Sequence, residues 1–218
     1  MPEPESGAEL RSLLADPGVT ERLTLGTSFG LMAFHGGTLE LHTDRVAERV
    51  AAATGASLYR ICQSGSRPVH IPSHRVSPED SEALRAFLDH VDVAVALHGY
   101  GRPELHRSIL LGGTNRTLAE HLALHLIPAL GHYEIITELD DIPRELRGLH
   151  PGNPVNRPPN GGVQIELPPR IRGMSPILWG PRPRDWGGPH LDALVTALTE
   201  AVLSWDGGRV DSEPHSNH

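Results

Sequence analysis

The chain has 218 residues, of which 38% are hydrophobic, so it is long enough to bury the core of one domain. Its formal net charge of -8 argues against general nucleic-acid binding, because neutralising phosphates requires a basic surface. All nineteen basic residues are arginine, which excludes a Schiff-base lysine, a phosphate-loop lysine and a lysine general base. Planar guanidinium groups, which match carboxylates and phosphates, are therefore left to recognise anions.

The alternation of apolar and polar residues predicts strands and helices that take turns along the chain. In chain order, we expect a strand over 31–34, a helix over 43–53, a strand over 57–61, a helix that begins at 77–80, strands over 91–97 and 108–111, a helix over 118–130, strands over 133–136 and 163–167, and a helix over 191–205. Such alternation predicts an α/β fold, in which a mixed, mostly parallel sheet is flanked by helices within a single domain.

The ends of the chain and its single cysteine set further expectations. Residues 1–6 are acidic, so no secretory leader is predicted, and no stretch reaches the roughly 18 apolar residues that a membrane span requires. We therefore expect a cytoplasmic protein without membrane contact. Cys62 can form no internal disulfide. The predicted domain covers residues 21–206, with a tail or helix over 1–20 and a tail over 207–218.

Three short motifs at the ends of apolar runs carry the functional signal. His35 and His98 each follow a strand-like run and precede a glycine, so parallel strands would bring both to the same sheet edge. Glu40 follows His35 across the Gly36-Gly37 bend, which allows the chain to fold back toward the imidazole. Glu166 alternates with apolar neighbours in its strand, so it faces either solvent or a site. Two imidazoles and a carboxylate are a common zinc ligand set that leaves one position open.

Three observations offer alternatives to this zinc-site interpretation. The chain holds 14 histidines, so some will follow strands by chance. His121 and His125 are four residues apart in a predicted helix, a spacing that suits a metal but also a polar flank. Residues 26–30 fit the Gly-x-Ser-x-Gly pattern of serine hydrolases. A nucleophile elbow needs a strand before its serine, however, and here the strand follows Ser28.

The order of the motifs resembles that of a known family. His-Gly-Gly-Thr-Leu-Glu at 35–40, His-Gly at 98–99, Asn-Arg at 156–157 and Gly-Gly-Val-Gln-Ile-Glu at 161–166 are together similar to the poly-γ-glutamate hydrolases of phage and bacteria. The resemblance covers roughly residues 25–175. It implies a fold similar to that of carboxypeptidase A-like zinc hydrolases, with a mixed sheet between helices.

The same resemblance implies roles for individual residues. His35, Glu40 and His98 would bind Zn²⁺, and Glu166 would act as the general base and acid of catalysis. A further set would bind substrate carboxylates, namely Asn156, Arg157 and Arg170.

One stretch departs from the family pattern. Family members usually carry His-Ile-Thr-Ser-Thr after the second strand, whereas residues 70–74 read His-Ile-Pro-Ser-His. Two threonine hydroxyls are absent, which leaves the cleaved polymer or peptide open. His70 and Ser73 are candidate substrate-binding residues, and a structural turn around Pro72 is the alternative.

These observations together predict a zinc-dependent hydrolase of γ-glutamyl amide bonds, in which a metal-activated water attacks with the help of a glutamate base. Its partner would be an anionic polymer or a small γ-glutamyl substrate. A zinc carboxypeptidase or amidase of the same fold is the alternative enzyme. A metal-binding or ligand-binding domain without turnover is the alternative outside catalysis. The orientation of Glu166 separates catalysis from binding, because a base must face the metal.

Overall fold

A computed structural model describes residues 6–174 and 188–207. The predicted tail from residue 208 onward therefore lies outside the described residues. Five α-helices and seven strands lie within the described ranges: α1 (Ser6–Leu14), β1 (Val19–Thr24), β2 (Thr27–Gly37), α2 (Thr43–Thr54), β3 (Ala56–Gln63), α3 (Glu82–His90), β4 (Val93–Gly99), β5 (Ser108–Leu111), α4 (Arg116–Ala129), β6 (Glu134–Ile136), β7 (Gly162–Leu167) and α5 (Gly188–Ser204).

The seven strands form one sheet in the order β1-β3-β2-β4-β7-β5-β6. Neighbouring strands from β3 to β7 run parallel, whereas β1 is antiparallel to β3 and β5 is antiparallel to β7. Strand β6 pairs in parallel with β5 at the far edge. The predicted α/β class, with a mixed and mostly parallel sheet in a single domain, is thus confirmed.

Both faces of the sheet are covered, which explains why its central strands are almost continuously apolar. Val93, Val95 and Leu97 of β4 face the larger core beneath α2, α4 and α5. Ala94 and Ala96 of the same strand face a second core, to which α1 and α3 contribute. Side chains along a strand alternate between faces, so one apolar run serves both cores.

Some elements differ from the sequence-based expectation. Helix α3 begins at Glu82 rather than within residues 77–80, because Ser81 supplies the cap: its Oγ accepts a hydrogen bond from the Leu84 amide at 2.9 Å. Helix α1 and strand β1 were not predicted separately. Leu10 of α1 is fully buried, so α1 packs against the rest of the structure. The domain boundaries at residues 20 and 206 stay a prediction. No helix in the described ranges is long and apolar enough to cross a membrane.

The turn after β2 depends on a glycine in a conformation that other residues rarely adopt. Gly37 has a φ of 79°, and a Cβ built there would lie 2.1 Å from the Gln63 carbonyl oxygen. Gly55, at the end of α2, also has a positive φ of 72°, but a Cβ there would meet nothing within 4 Å. Replacing either glycine would therefore strain the backbone, because other residues rarely adopt a positive φ. Only the replacement of Gly37 would also cause a steric clash.

We expect Gly37→Ala to lower the free energy of unfolding by at least about 2 kcal/mol, because strain and clash act together. Gly55→Ala is the matched control and should cost about 1 kcal/mol, the scale of left-handed strain alone. Denaturant titration measures both values. Equal losses in the two variants would contradict the close approach at Gly37.

Candidate active site

The carboxyl ends of β2, β4 and β7 lie side by side at one edge of the sheet. His98 and Glu166 are register partners on β4 and β7. With His35 from β2, they line a cavity of about 520 Å³. All three residues are nearly inaccessible, with exposures of 3% for each histidine and 4% for Glu166. The other walls of the cavity come from the loop after β3 and from the segment between β6 and β7.

An irregularity in β2 aims His35 into this cavity. In a regular strand His35 would follow Leu31 and Ala33 onto the face of the larger core. The register between β2 and β3 shifts between Ala33 and Gly36, however. His35 and its neighbour Phe34 therefore both lie near His98, with ring centroids 5.1 Å and 5.9 Å from that imidazole. Such bulges often re-aim a side chain beside an active site.

The chain returns toward His35 directly after the glycine bend. The Glu40 amide donates to the His35 carbonyl at 2.8 Å, which closes the turn. One carboxylate oxygen of Glu40 then lies 2.9 Å from His35 Nδ1, and the other lies 3.5 Å from His98 Nδ1. The backbone amide of Gly99 donates to that second oxygen at 2.9 Å. Glu40 thus connects the ends of β2 and β4.

The pKa values of this group follow from the contacts. Burial alone would raise the pKa of Glu40, but its interactions with His35 and His98 hold that pKa well below its usual range. Burial opposes protonation of His35, yet the Glu40 carboxylate and the Ile71 carbonyl outweigh burial and raise the His35 pKa. Glu40 is therefore a buried anion that attracts positive charge to its neighbours.

The outer nitrogen of each imidazole also has a partner. His35 Nε2 lies 2.8 Å from the Ile71 carbonyl oxygen, which can only accept, so this nitrogen carries a proton. In the neutral tautomer, Nδ1 then turns its lone pair toward Glu40. Lone pairs that face each other across 2.9 Å require a proton or a cation between them. His98 Nε2 also has a partner, since it lies 3.3 Å from Ser73 Oγ, a hydroxyl that can donate or accept. Outer partners of this kind orient metal-binding histidines.

His70 extends the set of possible metal donors. In the described part of the chain, one group of three histidine, cysteine or acidic residues has donor atoms within 4.8 Å of one another, and it consists of His35, Glu40 and His70. The His35 and His70 rings lie 4.5 Å apart. Burial and the neighbouring His35 lower the pKa of His70, which favours a neutral imidazole with a free lone pair. Ser73 and His70 thus both lie at the cavity.

Glu166 lies in the same cavity in a different electrostatic environment. Its Oε1 accepts a hydrogen bond from Gln164 Nε2 at 2.8 Å, and Gln164 Oε1 accepts from Asn153 Nδ2 at 2.7 Å. Burial, reinforced by the Glu40 charge, raises the pKa of Glu166 to about 7. His98, Gln164 and Arg172 oppose that rise. Glu166 can therefore both accept and release a proton near neutral pH.

Arg172 supports the strand ends from below. The residue is 4% exposed, and its guanidinium donates to the carbonyl oxygens of Leu167 and Tyr100, at 3.2 Å and 3.0 Å. These carbonyls lie just past the segments of β7 and β4 that present Glu166 and His98. Arg172 packs so closely on Gly99 that a Cβ at this glycine would lie 2.5 Å from Arg172 Cζ. Its buried charge also attracts Glu40 and Glu166.

The remaining predicted substrate residues lie elsewhere. Asn156 uses its amide to hold backbone, donating to the carbonyls of Gly148 and His150 and accepting from Thr114. Arg157 and Arg170 are exposed and do not line the cavity. Their roles in substrate binding stay predictions.

The structure also locates the two alternative motifs, the Gly-x-Ser-x-Gly pattern and the histidine pair of α4. Ser28 lies within β2, so no strand-to-helix elbow forms around it, and the interpretation as a serine hydrolase is not supported. His121 and His125 face the end of α5, where both lie within 3.3 Å of Ser204 Oγ.

Sequence reasoning missed several groups that form this site: Asn153, Gln164, Arg172, Arg144 and His150. Gln164 carried a usable signal, because it shares a strand face with Glu166. Nothing in the sequence separates Arg144 or Arg172 from the other arginines.

A mixed sheet with two histidines and two glutamates at its carboxyl edge defines an α/β protein whose cavity has the residue types of a metal-dependent hydrolase. The chain is similar in structure to a bacteriophage poly-γ-glutamate hydrolase, with a TM-score of 0.68 and 24% identity over 84% of this chain and 87% of that one. It is also similar to YNDL in a zinc-free apo form, with a TM-score of 0.68 and 20% identity over 87% and 92% of the two chains.

A metallo-carboxypeptidase from Burkholderia cenocepacia is more distant, with a TM-score of 0.49 and 12% identity over 90% of this chain and 67% of that one. No curated protein sequence matches the chain. The sequence model of the poly-γ-glutamate hydrolase family matches residues 8–175. The chain therefore belongs to the poly-γ-glutamate hydrolase family, and this membership supports a hydrolase of poly-γ-glutamate.

The raised pKa of Glu166 predicts a pH-dependent stability for the metal-free protein. Glu166 holds its proton up to about pH 7 in the folded state but only to about 4.5 when unfolded, so its contribution to stability falls as the pH rises between these values. Glu166→Gln removes the buried charge. We expect this variant to be more stable than the parent at pH 8, by an amount on the order of 3 kcal/mol, with the difference falling to less than about 1 kcal/mol at pH 5.

Calorimetry in the presence of a chelator at both pH values measures the effect. Glu120→Gln, which changes an exposed glutamate on α4, is the matched control and should show little difference at either pH. If Glu166→Gln stabilises the protein equally at pH 5 and pH 8, the stabilisation does not come from ionisation of Glu166 between these pH values.

Proposed function

We propose that this protein is a zinc-dependent hydrolase of the γ-glutamyl amide bonds of poly-γ-glutamate or a related carboxylate-rich amide. The observation that carries the proposal is the convergence of His35, His98 and Glu40 beside a second glutamate, Glu166, at the floor of one cavity. Family membership supplies the substrate class. The cavity residues supply the chemistry.

His35, Glu40 and His98 are the proposed metal ligands. The donor set suits Zn²⁺, and the lone pairs of His35 Nδ1 and Glu40 already face a shared point that needs positive charge. When bound, zinc would supply Lewis acidity that lowers the pKa of a coordinated water and polarises an amide carbonyl. His98 is preferred to His70 as the third ligand, because His98 is buried, faces Glu40 and has an oriented outer nitrogen.

Glu166 is the proposed general base and acid. Its carboxylate takes the proton of the attacking water and then delivers it to the leaving amide nitrogen. The hydrogen bond from Gln164 holds one carboxylate oxygen in place, and the other has no hydrogen bond within the described part of the chain, which suits it to proton transfer. The arrangement also favours catalysis over a binding domain without turnover, because Glu166 points into the cavity beside Glu40 rather than into solvent.

The metal assignment predicts that the purified protein holds about one zinc per chain. His35→Ala and His98→Ala should each lose most of that zinc by elemental analysis, because each removes one of three ligands. His70→Ala is the discriminating variant and should keep its zinc. If His70→Ala loses the metal while His98→Ala retains it, then His70 is the third ligand and the assignment of His98 is wrong.

The catalytic assignment predicts a separation of turnover from metal binding. Glu166→Gln keeps the size of the side chain but cannot accept a proton, so cleavage of poly-γ-glutamate should fall about 100-fold or more. Zinc content should stay at the parent level. Polymer length after incubation, with and without chelator, is the readout, and Glu120→Gln should cleave normally. Loss of zinc from Glu166→Gln would instead make Glu166 a ligand.

A further inference from the structure

The outer wall of the cavity contains groups that the proposed chemistry does not use. Arg144 and His150 come from the segment between β6 and β7, and His74 comes from the loop after β3; all three line the cavity. None of them belongs to the proposed metal ligands or to the proton-transfer group. Their position on the exposed rim raises the question of which ligand they would meet.

His150 lies on a loop that is held in place. Its carbonyl oxygen accepts hydrogen bonds from the Asn153 amide at 2.9 Å and from Asn156 Nδ2 at 3.2 Å. Its imidazole packs against His74 across the cavity mouth, with ring centroids 4.6 Å apart. Asn156, a predicted substrate ligand, therefore acts in this structure as an anchor for the loop. An exposed side chain on an anchored loop is suited to fixed contacts with a ligand.

The hydrogen bond that His150 accepts determines whether its other ring nitrogen can donate or accept. The Gly152 amide donates to His150 Nδ1 at 3.0 Å, so Nδ1 carries the lone pair and Nε2 carries the proton. A neutral His150 with this contact offers an N–H donor rather than a metal ligand. Its partner would be an oxygen acceptor, such as a carboxylate.

Arg144 adds a charge of the matching kind. It is the one arginine among the residues that line the cavity, and its guanidinium has no hydrogen bond or ion pair within the described part of the chain. Its acidic neighbour Glu145 does not neutralise it, because Glu145 is paired with Arg102. A free guanidinium and an N–H donor on the wall of the same cavity can together match the two oxygens of a carboxylate.

We propose that Arg144 and His150 form a rim subsite that binds the free α-carboxylate of a γ-glutamyl unit next to the bond being cleaved. This inference rests on the proposed function, since a γ-linked chain carries one such carboxylate on every unit. Arg144 supplies the charge, and His150 supplies a directed hydrogen bond. The subsite selects acidic polymers over neutral amides while Glu166 and the metal ligands perform the cleavage.

Steady-state kinetics of the zinc-loaded enzyme on γ-linked oligoglutamate test the proposal. We expect Arg144→Ala and His150→Phe to raise KM about ten-fold or more, the scale of a lost charge-assisted hydrogen bond, with kcat changed less than about three-fold. His150→Phe keeps a ring against His74 but has no donor. Arg144→Lys should recover part of the loss. Arg22→Ala, on the exposed face of β1, is the control and should match the parent.

The same oligomer with esterified carboxylates completes the test. The parent and both variants should handle this ester alike, because it offers no anion to the subsite. An unchanged KM in Arg144→Ala and His150→Phe on the acid form overturns the proposal. A second zinc in the parent that His150→Phe loses also overturns it, because His150 would then be a metal ligand.

A binding experiment separates this proposal from the proposed function. Calorimetric titration of the acid oligomer into zinc-loaded Glu166→Gln measures affinity without turnover. The same titration into Glu166→Gln that also carries Arg144→Ala measures the contribution of Arg144. If the parent fails to cleave any γ-glutamyl substrate but affinity still falls about ten-fold with Arg144→Ala, the proposed function fails and the rim subsite stands. If the parent cleaves the polymer and affinity does not depend on Arg144, the subsite fails alone.

Discussion

The candidate site depends on one buried carboxylate, that of Glu40. A charge removed from water is costly unless it is paired and hydrogen-bonded, and Glu40 meets that requirement with His35, His98 and the Gly99 amide. These partners come from the ends of two strands. The carboxylate therefore works as an electrostatic connection between β2 and β4 as much as a functional group. The geometry of each imidazole is set by the same connection.

Glu40 and Glu166 show how one cavity shifts the pKa values of two carboxylates in opposite directions. Glu40 is surrounded by imidazoles and an amide donor, which favour its charge, and its pKa is held well below the usual range. Glu166 is buried beside the Glu40 charge with one side-chain amide donor, so burial first and that charge second raise its pKa to about 7. Environments that push two pKa values apart are the usual way to divide acid and base roles. Arg172 limits the repulsion between the two groups from beneath.

The sequence predicts the parts of this molecule that have a strong local signal. Strands β2, β4 and β7 are covered on both faces, so their apolar runs are visible in the sequence. The polar residues near the carboxyl ends of these strands meet at one edge of the sheet, as expected. Strand β1 was missed because its side chains alternate between half-buried and exposed, and they are mostly polar. The sequence could not single out Arg172 or Arg144 among the arginines. Arg172 matters because of its packing, and Arg144 matters because its guanidinium has no partner in the described part of the chain. Both properties arise only in the folded chain.

The two edges of the sheet have a consequence for association between chains. An edge strand with unpaired backbone groups can template strand addition. At one edge, β6 is only three residues long. At the other edge, β1 carries Glu21, whose carboxylate is drawn inward by Tyr59, with Oη at 2.6 Å, and by Ser81. An inward-turned charge on an edge strand disfavours edge-to-edge pairing with a second strand, so β1 is a poor template for lateral association between chains.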